Sequence, residues 1–469
     1  MSVLSASYLL SVFIAFCIYW LIPDRFRRYF LLLCSALFCL TYGIDKACFV
    51  LLYLLLIYGL GRYCTDTKKM RLGIVLALLP LFVSKYLNPI LGLFHVQLSF
   101  EFSLIGISFL SFRAISYLVE KQRGRILSCD FCDFCLYMIF FPAVLSGPIE
   151  RSDSFINAIK EKKTISWQIF IEAIITILFG FVMKIVFADR ISAIINVIYS
   201  GYEKYTKYCI LAMLAYPLYI YCDFAGYSYI AFGTAKLFGI LINRNFRQPY
   251  FSKSVKEFWN RWHMSLNLWF RDYLYIPLGG NRKGKYIKYL NILIVFGVSG
   301  IWHGAGAGFI IWGLLNGLYQ VIGEMLMPFR KKVRNLLHIK EGFISNSFSI
   351  IATFLLIGFS WIFFSRGLEG FNILASLFEP RKIGLMDFML SVCEEAGSSK
   401  IEIAIIAMAA AFIFVVDALE SGDFDLSERI AKSNVILRYV ALIFLIMFVL
   451  TFGKYGAGYN PEDFIYFGF

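Results

Sequence analysis

Charge is what this 469-residue chain has least of: Asp, Glu, Lys and Arg together make 16%, against about a quarter in a soluble globular protein. Histidine is scarcer still, with four in all. No stretch is long and polar enough to form a soluble domain, and neither an internal repeat nor a low-complexity tract is present. The patterns HExxH, GxSxG and DxDxDG are missing, as is the Gly and Lys spacing of a phosphate-binding loop. Zinc proteases, serine hydrolases, EF-hands and P-loop enzymes therefore lack their signature residues here. The lack of two corresponding broken-helix halves argues against the transporters built from repeats.

Apolar residues dominate: 59% are hydrophobic and 18% aromatic. A helix needs about 20 apolar residues to cross a bilayer, and runs of that kind recur along the chain, separated by short basic segments. The pattern predicts an all-α membrane protein of about 11 transmembrane helices with additional re-entrant or interfacial segments. The first run, 3–22, has neither a basic n-region nor a small-residue cleavage site, so it is expected to stay as a span. The net charge is +14. Lys and Arg gather in alternate connections, 24–28, 62–71 and 120–125, which places those loops in the cytoplasm and the N-terminus outside. Membrane lipid is the partner this placement implies. Nucleic acid is not expected, since no binding motif for it is present.

Most of the eleven cysteines lie in apolar runs, where Cys behaves as a small hydrophobe. Cys129, Cys132 and Cys135 have a spacing that suggests a metal. A closed zinc site takes four ligands, and no fourth Cys or His is near, so free thiols and no metal are expected.

Residues 244–304 are unlike the rest. Charged, aromatic and Gly/Pro residues interleave over most of the stretch. It is too polar to span and too aromatic for a solvated loop, so it suits amphipathic helices at the interface, with Trp and Tyr at headgroup depth. Two of the four histidines lie here, each after a Trp: His263 and His303. His303 closes the apolar run Ile292–Trp302 and is followed by Gly304. An ionisable group at membrane depth is a functional candidate. Imidazole titrates near neutrality and can take a proton from a hydroxyl, as acyl transfer requires. The alternative is a structural imidazole hydrogen-bonded within the bundle, and for His263, in the more polar part, that alternative is the stronger. Arg261, Arg271, Lys283 and Lys285 have two open roles: anchoring to anionic lipid, or binding the phosphates of a cytoplasmic acyl donor. Residues 277–281, Pro-Leu-Gly-Gly-Asn, read as a turn.

Three motifs, FWNRWHMSL at 258–266, WFRDYLYIPLGGNR at 269–282 and SGIWHG at 299–304, resemble the membrane-bound O-acyltransferase family, especially its bacterial branch of alginate O-acetylation proteins. The resemblance extends to GISF at 106–109, ISY at 115–117, FFP at 140–142, SGPI at 146–149, DFAGYS at 223–228 and DFIYFGF at 463–469, and so to nearly the whole chain. Arg113 stands where the branch often has Gln, and Tyr229 where it often has Asp; Asp223 and Glu120 are candidate partners for Arg113.

The resemblance implies one polytopic catalytic domain over 1–469, with its catalytic segment at about 244–304 and its helices in a ring around a central tunnel. His303 would be the catalytic residue inside it, and His263 a supporting catalytic or tunnel-lining one. Trp302, Arg261, Asn267, Arg271, Asp272 and Tyr275 are candidates for substrate or donor binding. No bound cofactor is implied. The donor would be cytoplasmic acetyl-CoA, or else an acyl or D-alanyl carrier protein. The acceptor would be hydroxyls of a surface polysaccharide or peptidoglycan, reached through an extracytoplasmic acetyltransferase-like partner. The implied location is the bacterial cytoplasmic membrane. The alternatives are D-alanyl transfer to teichoic acid and, from another class, a transporter of polymer or lipid-linked sugar. A transporter has no need of a Trp-His-Gly motif at the end of a span.

Overall fold

Backbone N–H and C=O groups cannot stay unpaired in hydrocarbon, so apolar runs fold as helices that satisfy them internally. The computed structural model of the chain describes residues 2–96, 106–126, 128–145, 147–338, 340, 342–380, 382–397, 400–420, 426–456 and 459. Every regular element among them is a helix. The motif at 463–469, Ser146 of the motif at 146–149 and residues 97–105 lie outside the described residues.

Seven of the described helices are long and apolar enough to cross a membrane. The number is eight if Ala307–Met325 and Met327–Leu336, bent by 48° at their junction, form one span. That is fewer than the about 11 spans read from apolar runs, because several runs give helices that are short or open on charged turns. Ala6–Leu21 has 16 residues, and Asp24–Leu40 begins Asp-Arg-Phe-Arg-Arg.

Burial separates centre from rim. The spanning windows of Trp167–Ser200 and Tyr202–Leu237 are 72% and 67% buried, whereas those of Thr67–Gly92 and Val435–Phe452 are 11% and 17% buried. The central pair packs through small residues. A Cβ on Gly233 would lie 2.7 Å from the Ala173 carbonyl oxygen, and one on Gly226 2.9 Å from that of Gly180. Lipid gives helices no hydrophobic reason to associate, so such close backbone contact replaces it. The rim turns Leu52, Val75, Ile443 and Phe444 outward, as a surface facing acyl chains requires.

One charge cluster inside the bundle is satisfied locally. Asp223 pairs with Lys184 at 2.6 Å, and Lys184 also reaches Asp189 at 2.7 Å. Arg113 departs from expectation. Its guanidinium donates to the carbonyls of Tyr137 (3.3 Å), Met138 (2.9 Å) and Ala143 (2.7 Å). Glu120 instead pairs with Arg123 and Arg125. The irregular turn after residue 139 leaves carbonyls without helical partners, and the five-donor fork of an arginine serves several at once.

The polar segment folds as two seven-residue helices, Val255–Arg261 and Met264–Phe270, followed by a π turn, Arg271–Tyr275. Ser254 caps the first, accepting from the Glu257 N–H at 3.2 Å, while Glu257 reaches back to the Lys253 N–H at 2.9 Å, a reciprocal arrangement akin to the capping box. The aromatic face turns inward: Trp259, Trp262 and Trp269 point into the bundle and are buried. Trp262 stacks on Phe258 and Trp269 on Phe112, while Lys253, Lys256 and Arg271 stay exposed. The turn at 277–281 forms as read, and Asn291 ties it to the next helix by donating to the Gly280 carbonyl at 2.9 Å.

Candidate active site

An α-helix ends with carbonyls that it cannot serve itself. In the helix Lys285–His303 that end is where His303 sits. Lys85 Nζ donates to the carbonyls of Trp302 (2.9 Å) and His303 (3.2 Å), and the Tyr86 hydroxyl donates to that of Ile301. The chain reverses at 304–306, and Ala307–Met325 packs back along the first helix. Contact between the two is close because both are glycine-rich where they meet. A Cβ on Gly300 would lie 2.3 Å from the Phe309 carbonyl oxygen, and one on Gly313 the same distance from that of Phe296.

This hairpin puts the His303 side chain, 3% exposed, among aromatic rings. Trp302 lies at 4.7 Å between centroids, Trp312 at 5.1 Å and Phe364 at 5.2 Å, all edge to face. Trp302 stacks on Phe112 at 4.9 Å, which brings in the helix Ile107–Gln122. The indole N–H groups of Trp302 and Trp312 are buried without an acceptor among the described residues. Buried indole N–H groups usually have one.

His263 belongs to the same buried aromatic cluster. Trp312 stacks on Trp361 at 5.4 Å, and Trp361 lies 5.3 Å from Trp262, the neighbour of His263. His263 joins the two short helices with φ of 43°, in the left-handed region that non-glycine residues seldom occupy. Its Nδ1 donates to Asn245 Oδ1 at 3.3 Å. Ser265 donates to the same oxygen at 2.6 Å, and the Met264 N–H to the Asn245 carbonyl at 2.8 Å. Local strain of this kind persists where surrounding bonds hold it, often at functional sites.

Beside the cluster lies a cavity of about 1680 Å³, larger than the roughly 300–1,000 Å³ of ordinary small-molecule sites. Its cationic lining comprises Lys253, Lys256, Arg271, Lys288, Arg330, Arg334 and Lys340, against one carboxylate, Glu324, which pairs with Lys288. Trp259 forms part of the wall. Asn316 accepts from its Nε1 at 3.1 Å, and Trp312 lies 5.5 Å from its ring. Trp259 and Trp312 thus stand between the cavity and His303.

Of the residues singled out from sequence, Asn267, Arg271 and Tyr275 line this cavity, and Trp302 lies against His303. Arg261 pairs with Glu257 at 2.7 Å. Asp272 pairs with Arg151 and, at 2.8 Å, with Arg271. Cys129, Cys132 and Cys135 are free thiols. Sequence reading passed over Lys85, Trp312 and Asn316. Lys85 and Asn316 carried a signal, since each is a polar side chain inside an apolar run. Trp312 looked like any other core aromatic.

Comparison with known proteins shows which family the chain resembles. The pattern described as "MBOAT, membrane-bound O-acyltransferase family" matches residues 18–365. A protein of Pseudomonas fluorescens named "Probable alginate O-acetylase AlgI" is 32% identical over 361 residues, covering 74% of this chain and 69% of that one. A peptidoglycan O-acetyltransferase of Helicobacter pylori is 30% identical over 56% of this chain and 54% of its own. A teichoic acid D-alanyltransferase of Bacillus subtilis is 31% identical over 62% of this chain and 76% of its own.

Proposed function

The chain belongs to the membrane-bound O-acyltransferase family, and from that premise we propose that this multi-pass O-acyltransferase moves acetyl groups from cytoplasmic acetyl-CoA to hydroxyls of a cell-envelope polymer. The observation that carries this reading is the large cation-lined cavity backed by the indoles that enclose His303. Seven Lys and Arg side chains around one space suit a donor that carries several phosphates. The wall of rings suits the apolar acyl thioester end.

His303 acts as general base in this reading. Its imidazole takes the proton of the acceptor hydroxyl as the oxygen attacks the thioester carbonyl. The tetrahedral intermediate collapses, the C–S bond breaks, and the proton passes from the imidazole to the leaving thiolate. The Trp302 and Trp312 N–H groups are the donors at hand for the carbonyl oxygen as charge builds on it. His263 braces the aromatic wall through Asn245 and Ser265. The acceptor hydroxyl belongs to surface polysaccharide or peptidoglycan, or first to an extracytoplasmic transferase that completes the delivery. The enzyme works in the bacterial cytoplasmic membrane.

Acetyl is favoured over D-alanyl because the match to the alginate O-acetylase covers 74% of this chain, and that to the D-alanyltransferase 62%. The donor is tested with vesicles that carry the full chain and envelope polymer, offered labelled acetyl-CoA or labelled D-alanyl carrier protein at the cytoplasmic face. Alkali-labile label on the polymer from acetyl-CoA alone supports the reading. Label from the D-alanyl carrier alone would replace it.

A further inference from the structure

Thr67–Phe82 is regular α-helix, and the chain continues it as a π turn over Val83–Leu87. The span made by these segments, Thr67–Gly92, is among the least buried in the protein. An ammonium inside such a span is expensive in hydrocarbon and usually has a task. For Lys85 that task is visible. Lys85 and its neighbour Tyr86 together serve three consecutive carbonyls, Ile301, Trp302 and His303, at the end of another helix. A helix leaves its last carbonyls unserved; here the Gly304 N–H reaches that of Ile301 at 3.2 Å, and the side chains of Lys85 and Tyr86 supply the other donors. The end of a helix also carries partial negative charge, which a cation complements. π turns occur often at functional sites. This one lets two successive side chains reach the same helix end.

We propose that Lys85, assisted by Tyr86, is a positioning residue for acyl transfer: it fixes the last turn of the Lys285–His303 helix and with it the place of the His303 imidazole. Two of the three ammonium N–H donors go to backbone oxygens at the His303 end of the helix, and it is through them that Lys85 acts on His303. Charge, and not hydrogen bonding alone, is part of the task, because the two carbonyls lie at the negative end of a helix dipole. The inference rests on the reading of His303 as the base.

The test uses the full chain in membrane vesicles, with labelled acetyl-CoA at the cytoplasmic face and alkali-labile ester on envelope polymer as readout, normalised to folded protein. K85M is expected to lower kcat about tenfold to a hundredfold, as small misplacements of a catalytic group do, with donor KM little changed. K85R, which keeps charge and donors, should recover most of the loss. A cap needed only for folding would change the amount of folded protein and leave its turnover alone. Should K85M fail to accumulate, Y86F removes one of the three bonds at nearly constant volume. Lowered kcat at constant KM then supports the inference, and undiminished kcat overturns it. H303A in the same series separates the two levels. If H303A turns over normally, the reading of His303 fails. If H303A is inactive while K85M or Y86F keeps full kcat, only the role of Lys85 falls. Ester on the envelope polymer of intact cells, compared across K85M, K85R and H303A, gives the same ranking without reference to the donor.

Discussion

At the scale of single residues, scarcity made the site legible. Four histidines in 469 residues, two of them after Trp in one unusual segment, drew attention to His303 and His263 before any fold was known. Lys85 was not legible in the same way, because its partners, Trp302 and His303, lie 217 and 218 residues away in sequence. The left-handed backbone of His263 and the Asn245 network around it were also invisible, since they depend on how two short helices meet. These features support a bracing role for it. In the proposed function His263 braces the aromatic wall, whereas His303 exchanges protons. Replacing His263 with Ala is therefore expected to leave measurable transfer. The double variant with His303→Ala should be no worse than His303→Ala alone, as for residues that serve one step. Ester formation by the purified variants checks this, and full activity of the His263 variant would reduce that residue to packing.

Among elements, apolar runs identified the helices, and the Pro-Leu-Gly-Gly-Asn turn formed where its residues placed it. The inward turn of the aromatic segment was not legible: Trp259, Trp262 and Trp269 face the bundle. Composition alone cannot tell a Trp that faces lipid headgroups from one that faces other rings. Packing between the two helices that flank His303 is equally hidden in sequence, although its glycines are plain to see. Gly313 meets the Phe296 carbonyl oxygen where a Cβ would stand at 2.3 Å, whereas a Cβ on Gly297 meets only Leu314 Cδ2, at 3.6 Å. Gly313→Val must push the helices apart and should destabilise the protein by at least about 1–3 kcal/mol, the usual range for overpacking. Gly297→Ala should be nearly neutral. Thermal unfolding of the two variants in detergent distinguishes them, and equal melting points would contradict the packing described.

For the whole molecule, family membership was legible because the motifs run from Gly106 to the residues at 463–469 and carry unusual residue combinations. The division into a buried centre and a lipid-facing rim was not, since both are apolar and differ only in where small residues let backbones meet. Orientation follows from the basic loops. In the proposed function the cavity faces the cytoplasm, the side where Lys and Arg such as its own Lys288, Arg330 and Lys340 gather. Tyr286, 88% exposed at the start of the His303 helix, tests this. A cysteine there should resist an impermeant thiol reagent outside intact cells, above the background of the native thiols, and react once the cells are permeabilised. Ready labelling from outside would invert the donor path. The central claim is that a buried histidine at the end of one helix performs the acyl transfer. The most direct measurement is the ester content of envelope polymer from cells carrying His303→Ala, at membrane levels matched to the unaltered protein. A fall of at least about a hundredfold, as expected for loss of a general base, is the predicted result; undiminished ester at matched protein level would contradict it.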